Sequence, residues 1–280
     1  MQSNFSSQVL DRIPSKLLSI KNPPTKLFFT GYTSLLDIYP KVAIIGSRKP
    51  NQYAQMQTST LAKSIIKAGG VVLSGGALGI DIIAHSAALP RTIMISPASL
   101  DSIYPASNAN IIRQIATNGL ILSEYENKPL PQRYEFLHRN RLIIALSDIV
   151  VIPQADRASG SMYSANLALE SSTPLFVLTH RIGESLGTQD LLISSKAQAI
   201  FSIESFLDNI GLNRTNQRIA AYEHTKENNI AISQESSSNV IEFCKGNPSF
   251  EEAYLRYGDE ILELELEGAI SRVNGRIMVQ

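Results

Sequence analysis

The residues best suited to chemistry in this chain follow an apolar run that ends near residue 45. Val42–Ile45 are apolar, and Gly46, Ser47 and Arg48 come directly after them. A glycine lets a ligand approach the backbone closely, a serine offers a hydroxyl, and an arginine fork matches the geometry of phosphate. This turn is therefore predicted to bind an anion at the end of a buried strand.

Two further turns are small, polar and rich in glycine. One contains Gly75 and Gly76 after an apolar run, and the other is Ser159-Gly160-Ser161. Each precedes a segment with helical character, and the exposed amides of a helix N-terminus favour an anion. Taken singly, either turn has a second interpretation, in which the glycines serve only a tight connection between strand and helix.

A basic segment with an aromatic residue forms the second group. If it is helical, Arg133, Phe136 and Asn140 share one stripe, whereas Arg139 and Arg141 point elsewhere. Phosphate neutralisation beside a ring on which a base stacks is what single-stranded nucleic acid requires. The alternative is that Phe136 belongs to the core and the arginines pair with nearby glutamates, namely Glu124, Glu126 or Glu135.

Evidence for catalysis or for a nucleotide cofactor is weak. Asp81 and His85 are spaced to touch on a helix, but a capping carboxylate and a packed histidine explain them more simply. The P-loop and dinucleotide fingerprints are absent, which disfavours ATP and NAD. The histidines and Cys244 lack metal-ligand spacing, so no metal site is expected.

The composition is that of a globular protein whose charge is unevenly distributed. The formal net charge of the 280 residues is zero, yet residues 41–210 hold 14 Lys and Arg against 12 Asp and Glu, and residues 241–280 hold 4 against 8. A polyanion site must then be a local patch, and the acidic tail is expected to contact protein rather than DNA. A lone cysteine and the lack of a signal or membrane segment favour the cytoplasm.

The elements that must position these residues alternate regularly from residue 41 onward. Continuous apolar runs predict strands at Val42–Ile45, Val71–Leu73, Thr92–Ile95, Leu120–Leu122, Ile149–Ile152 and Leu175–Leu178. Helices are predicted between them at Gln52–Ala68, Ile80–Leu89, Ala109–Thr117, Tyr134–Leu146 and Ser161–Glu170. This alternation predicts an α/β fold with a doubly wound parallel sheet.

The same patterns divide the chain into four parts. Residues 1–40 are predicted to be a short lead-in, 41–210 the α/β domain, 211–240 a polar linker, and 241–280 a small winged-helix-like domain. In the last part a periodic helix stops at Gly268, and a hairpin is expected to turn at Asn274-Gly275.

The ordered set of motifs resembles the DNA-processing protein A family (DprA/Smf). The similar stretch runs from about Lys41 to Phe201, and the tail agrees as well. The resemblance implies a Rossmann-like domain that binds single-stranded DNA in a positively charged pocket, usually as a homodimer. Together with the residue patterns above, this predicts a binding protein without catalysis, cofactor or metal. It further implies that the protein protects incoming DNA during natural transformation and helps to load RecA, while binding of duplex DNA stays open.

Carried onto this sequence, the resemblance implies particular contacts. Arg48 and Arg133 would bind phosphate, Phe136 would stack on a base, and Arg139–Arg141 would build or support the pocket. The full set expected to bind DNA is Gly46, Ser47, Arg48, Gly75, Gly76, Lys128, Arg133, Phe136, Arg139, Asn140, Arg141, Ser159, Gly160 and Ser161.

Two differences from related patterns matter. Leu78 stands where the family usually has an arginine, which removes one expected charge. A nucleotide-binding or phosphoribohydrolase-like enzyme of the same Rossmann variant is the alternative function. Such enzymes carry a catalytic glutamate where this chain has Ser164, which favours binding over hydrolysis.

Overall fold

The computed structural model describes residues 5–128, 130–212, 240–257, 261, 264–265, 268–273 and 275–279. The chain divides into two compact units, Met1–Arg214 and Thr215–Gln280. A nine-stranded sheet organises the first unit. Its strands are β1 Gln8–Val9, β2 Phe28–Gly31, β3 Lys41–Ile44, β4 Val71–Ser74, β5 Thr92–Ile95, β6 Leu120–Ser123, β7 Ile149–Ile152, β8 Leu175–Leu178 and β9 Gln198–Ile200.

The order of the strands creates a point where the direction of winding reverses. The sheet reads β1-β2-β6-β5-β4-β3-β7-β8-β9, with β3 to β9 parallel and β1 and β2 antiparallel to their neighbours. From β3 the chain winds outward through β4, β5 and β6, then returns to place β7 on the other side of β3. The crevice beyond the carboxyl ends of β3 and β7 is where such sheets bind ligands.

The helices cover both faces of the sheet. They are α1 Ser15–Leu18, α2 Gln52–Lys67, α3 Ile80–Ala88, α4 Ala109–Asn118, α5 Arg133–Leu146, α6 Gly160–Glu170, α7 Leu186–Ile193 and α8 Ile203–Asn209. Alternate residues of β3 enter opposite cores: Ala43 packs with α5 and α6, and Val42 and Ile44 pack with α2 and α3. The predicted doubly wound α/β fold is confirmed.

The long buried elements agree with the sequence predictions, and the short edge elements do not follow from them. Each of the six predicted strands and five predicted helices is present within one residue at either end. The strands β3 to β8 are buried almost throughout, which is why their sequences are continuous apolar runs. The sequence patterns did not indicate β1, β2 or β9. The strands β1 and β9 form the two edges of the sheet, and β2, which lies between β1 and β6, is a short strand that ends in a threonine and a glycine.

The second unit has its own small core. Residues 240–244 and Phe250–Tyr257 are helical, and two strands, β10 (Ile270–Val273) and β11 (Arg276–Val279), pair antiparallel. Its buried side chains are those of Val240, Cys244, Ala253, Ile261, Leu264, Ile270 and Ile277.

The paired strands agree with the predicted hairpin, and the winged-helix-like assignment stays a prediction. Asn274 at its turn and most of the predicted linker lie outside the described residues, as do parts of the helix predicted before Gly268. Among the helices that the structure describes, none has the length and apolar character needed to cross a membrane.

Candidate nucleic-acid interface

A groove of about 930 Å³ opens at the point where the winding of the sheet reverses. Three segments line it: the turn after β3 (Ile45–Lys49), the first half of α5, and the chain that runs from β7 into α6. The first two of these segments carry the two groups of residues that the sequence singled out. The topology therefore brings together parts of the chain that lie almost ninety residues apart.

The turn after β3 is fixed by its own backbone. The Ser47 amide donates to the Gln154 carbonyl (2.8 Å), the Ile80 amide donates to the Ser47 carbonyl (3.1 Å), and the Ser47 hydroxyl accepts from the Lys49 amide (3.1 Å). A Cβ on Gly46 would lie 2.8 Å from Ile80 Cγ1, so close packing requires a glycine there. Since the backbone is committed to neighbouring elements, Arg48 is the group that this turn offers to a ligand.

Arg48 and Phe136 meet inside the groove. The guanidinium carbon of the exposed Arg48 lies 5.2 Å from the centre of the half-buried Phe136 ring, a cation–π contact. Phe136 also contacts the Tyr104 ring, with 5.7 Å between the two ring centres. Arg133 is exposed on the same helix, lines the same groove and pairs with none of the described residues. The predicted stripe of Arg133, Phe136 and Asn140 thus faces one groove.

Arg139 supports the groove from inside the protein. It is only 3% exposed, and its guanidinium donates to the carbonyls of Gly75 (2.7 Å) and Ile95. Burial lowers the pKa of Arg139 to about 10, and the nearby Asp81 carboxylate opposes that shift. Its donors are used within the fold, so Arg139 positions α5 rather than presenting a free charge.

Asp81 already occupies the amides that the sequence predicted to be open to an anion. Its carboxylate accepts from the amides of Gly75 (3.2 Å) and Ala77 (3.4 Å), and it also interacts with the Gly46 amide. Burial raises the pKa of Asp81, while Arg139 and these amides act in the opposite direction. One internal carboxylate therefore joins the turns after β3 and β4.

The expectation of an open glycine turn after β4 is corrected by this arrangement. A Cβ on Gly75 would lie 2.3 Å from Arg139 Nη2, and the Gly76 carbonyl accepts from the buried Asn108 side chain (3.0 Å). Neither glycine lines the groove. Their small size serves internal packing, which was the alternative interpretation of this turn.

The N-terminus of α6 forms the opposite wall of the groove. Ser159 caps the helix by accepting from the Met162 amide (3.3 Å), while the amides of Gly160 and Ser161 donate to none of the described residues. Ser161 is 9% exposed, and its side chain lines the groove without a hydrogen-bond partner among those residues. These groups are positioned to donate to an anion in the groove.

Asn140 ties the two helices of the groove together. Its side-chain amide donates to the Ser164 hydroxyl (2.9 Å), and its carbonyl oxygen accepts from Arg139 Nε (3.0 Å). Ser164 is buried and donates in turn to the Gly160 carbonyl (3.3 Å). The position that is a catalytic glutamate in phosphoribohydrolases is thus a serine that bonds within the fold here.

Besides Gly75 and Gly76, two further predicted DNA-binding residues, Lys128 and Arg141, lie outside the groove. Lys128 pairs with the buried Glu135, and its ammonium lies 5.3 Å and 5.5 Å from the ring centres of Tyr125 and Tyr134. Arg141 donates to the Glu124 carboxylate at 2.6 Å. For Arg141 the structure matches the alternative in which an arginine pairs with a nearby glutamate.

His85 and Asp81 do not form a solvent-facing pair. His85 is fully buried, its Nδ1 lies 2.7 Å from the Thr92 hydroxyl, and burial lowers its pKa to about 3. His85 has the packing role favoured for it. Asp81 lies in the first turn of α3, but the N-cap residue is Gly79 and no described side chain caps the helix, so the carboxylate bonds the Gly75 and Ala77 amides of the preceding turn instead of capping α3.

Several residues of the groove were not singled out from the sequence. Lys49, Leu137, Arg157 and Tyr163 all line it, and Tyr163 is 43% exposed. Arg157 follows the apolar run of β7, so the rule that ligands bind beyond the carboxyl ends of parallel strands was a usable signal for it. Tyr163 had no comparable signal, because an aromatic residue on a helix more often belongs to the core.

Comparison with known proteins gives a consistent result. Residues 6–211 match the family DNA recombination-mediator protein A. The DNA processing protein DprA of Bacillus subtilis is 34% identical over 201 residues, which cover 70% of this chain and 68% of that protein. Protein Smf of Synechocystis is 35% identical over 206 residues, covering 71% and 52% respectively. This chain therefore spans between about half and about two thirds of those curated relatives.

Two solved structures share the fold. DNA processing protein A from Helicobacter pylori, a structure that addresses a unique single-stranded DNA binding mode, is 54% identical with a TM-score of 0.74, over 75% of this chain and 98% of that one. DNA processing protein A from Streptococcus pneumoniae is 32% identical with a TM-score of 0.67, over 73% and 74% respectively. The resemblance inferred from the motifs is confirmed.

Proposed function

This chain belongs to the DNA recombination-mediator protein A family, and on that basis we propose that it binds single-stranded DNA in the groove between the β3 turn, α5 and α6. The observation that carries the proposal is the contact between the exposed Arg48 and the half-buried Phe136, 5.2 Å apart in that groove. A cation and a ring presented side by side suit a phosphate and its neighbouring base.

Arg48 and Arg133 are the proposed phosphate contacts. Both are exposed, both line the groove, and neither pairs with an acidic residue among those described. Contacts to phosphate carry no base information and release counterions, so binding should depend on salt and little on sequence. The unused amides of Gly160 and Ser161 on the opposite wall supply a further place for a backbone oxygen.

Phe136 is the proposed platform for a base. Its ring is partly accessible, as stacking requires, although Arg48 and Tyr104 contact it. A base can reach the ring only if it is not paired and stacked within a duplex. We therefore expect a preference for single strands over duplex DNA.

The biological role that we propose follows the family. The chain would protect incoming single strands during natural transformation and deliver them to RecA, without a catalytic step. We also propose that it acts as a homodimer. Support comes from the edge strand β9, which Phe201 follows directly with 85% of its surface exposed. Light scattering of the purified chain measures the mass that tests the dimer.

Equilibrium binding to several unrelated single-stranded oligonucleotides tests the groove. Arg48→Ala and Arg133→Ala should each weaken binding to all of them by a similar factor. Phe136→Ala should lose about 1–3 kcal/mol of stacking per base. The matched control is Lys67→Ala, which removes an exposed positive charge at the end of α2, away from the groove.

The comparison distinguishes DNA binding in the groove from nonspecific attraction of DNA to positive charge elsewhere on the protein. Weakening by the groove variants with unchanged Lys67→Ala binding supports the assignment. Unchanged binding in Arg48→Ala and Arg133→Ala, with folding intact by circular dichroism, contradicts it.

A further inference from the structure

Arg157 is a groove residue whose charge is held by a neighbour. It lies in the chain between β7 and α6, at the same edge of the sheet as Arg48, and lines the groove. Gly160 and Ser161, with their unused amides, follow it closely in the sequence. This wall of the groove therefore combines an arginine with donors suited to an anion, opposite the wall formed by Arg48 and Phe136.

The arginine is paired with Asp190 of α7 in a two-point contact. Arg157 Nε donates to Asp190 Oδ2 at 2.6 Å, and Nη2 donates to Oδ1 at 2.9 Å. The side chains are 63% and 42% exposed. Water screens such a pair, and ordering two long side chains costs entropy, so its net contribution to folding is small.

A phosphate of the DNA backbone suits the same arginine fork. Guanidinium binds carboxylate and phosphate with the same two parallel hydrogen bonds, so one acceptor can replace the other without a new geometry. The exchange costs little, because the exposed carboxylate regains water when it is released. The release of counterions from the DNA at each phosphate contact also favours binding.

We propose that Asp190 holds Arg157 in the unbound chain, and that a phosphate of single-stranded DNA displaces the carboxylate so that Arg157 becomes an additional DNA contact. The proposal rests on the function proposed above. Asp190 then sets the affinity of the groove by competing with DNA for one arginine, without touching DNA itself.

The test measures binding of one labelled single-stranded oligonucleotide across a salt series by the full chain. Asp190→Asn removes the competing charge at constant shape, and Asp190→Ala removes the acceptor as well. Both should bind about two- to fivefold more tightly, the range that the small net free energy of an exposed ion pair allows. Arg157→Ala should bind more weakly and lower the slope of log K against log salt by about 0.7.

Two controls distinguish release of Arg157 from a change in overall charge. Asp208→Asn removes the same charge from an exposed position on α8, outside the groove. The double variant Asp190→Asn/Arg157→Ala should lose the whole gain, because the freed arginine is absent.

The outcomes separate this proposal from the one on which it rests. If Asp190→Asn binds no more tightly than Asp208→Asn, or if its gain survives in the double variant, Arg157 is not the contact and this proposal is overturned alone. Absence of salt-dependent binding by the unmodified chain overturns both proposals.

Discussion

At the scale of single residues, the arginines near the groove have three different roles. Arg48 and Arg133 are exposed and unpaired by acid among the described residues, Arg157 is exposed but paired, and Arg139 is buried beside Asp81. The sequence analysis placed Arg48, Arg133 and Arg139 in the DNA-binding set and did not single out Arg157, and residue type alone cannot rank them. Burial and the partners of each guanidinium decide which are available to DNA.

The buried role of Arg139 gives a prediction that Arg48 does not share. Arg139→Met leaves the Asp81 carboxylate without its countercharge and the carbonyls of Gly75 and Ile95 without a donor. We expect a loss of about 3–5 kcal/mol in the free energy of unfolding, measured by urea denaturation. Arg48→Ala, at an exposed site, should change it by less than about 0.5 kcal/mol.

The double variant Arg139→Met/Asp81→Asn is the control. Because it removes both buried charges, it should be less destabilised than the sum of the two single variants. Equal stability of Arg139→Met and the unmodified chain would contradict the internal role of Arg139.

The residue scale also shows where sequence reasoning stops. The spacing of Arg133, Phe136 and Asn140 placed them on one stripe, and helical geometry alone was sufficient for that. The use of the Gly75 and Ala77 amides by Asp81 was not predictable in this detail, since it depends on how a side chain folds back across the turn that precedes its own helix. Asp81 supplies from within the protein the negative charge that the glycine turn was expected to take from a ligand.

At the scale of elements, two glycines at helix N-termini have opposite functions. Gly79 precedes α3 with φ of +79°, and a Cβ there would lie 2.3 Å from the Ser47 carbonyl oxygen and 2.8 Å from Arg48 Cα. Gly160 begins α6, and its nearest neighbour would be Leu137 Cδ2 at an ordinary 3.7 Å. Gly79 is therefore required by the turn that presents Arg48, whereas Gly160 leaves space in the groove.

Alanine substitutions at these two positions should distinguish the glycine that close packing requires from the glycine that only leaves space in the groove. Gly79→Ala is expected to destabilise the fold by about 2 kcal/mol or more, through its left-handed backbone and the collision with the turn. Gly160→Ala should alter the free energy of unfolding by less than about 0.5 kcal/mol. Thermal or urea unfolding of both variants checks this contrast, and equal losses would argue against the assigned roles.

Long buried elements were predictable, and short edge elements were not. A parallel strand covered on both faces must be apolar at every position, so β3 to β8 are visible as continuous runs. In contrast, β1 consists of only two exposed residues, and β9 carries the exposed Gln198. Their pairing is decided by the neighbouring strand rather than by their own sequence, as is usual for edge strands.

At the scale of the whole molecule, the positive charge that DNA requires is local. The chain carries no formal net charge, yet Arg48, Lys49, Arg133 and Arg157 line one groove together with Asp156 as its exposed acid. Asp81 also lines it but is buried and internally bonded. The topology concentrates the cations, because the turns after β3 and β7 and the start of α5 converge where the winding reverses.

The most direct test of the account is the salt dependence of binding to a single-stranded oligonucleotide by the full chain and by its Arg48→Ala/Arg133→Ala variant. The slope of log K against log salt reports the number of phosphates neutralised, at about 0.7 for each contact on a single strand. We predict that the slope of the double variant is shallower by about 1.4, the sum of two contacts. An unchanged slope in a folded double variant would contradict the proposal that this groove binds the DNA backbone.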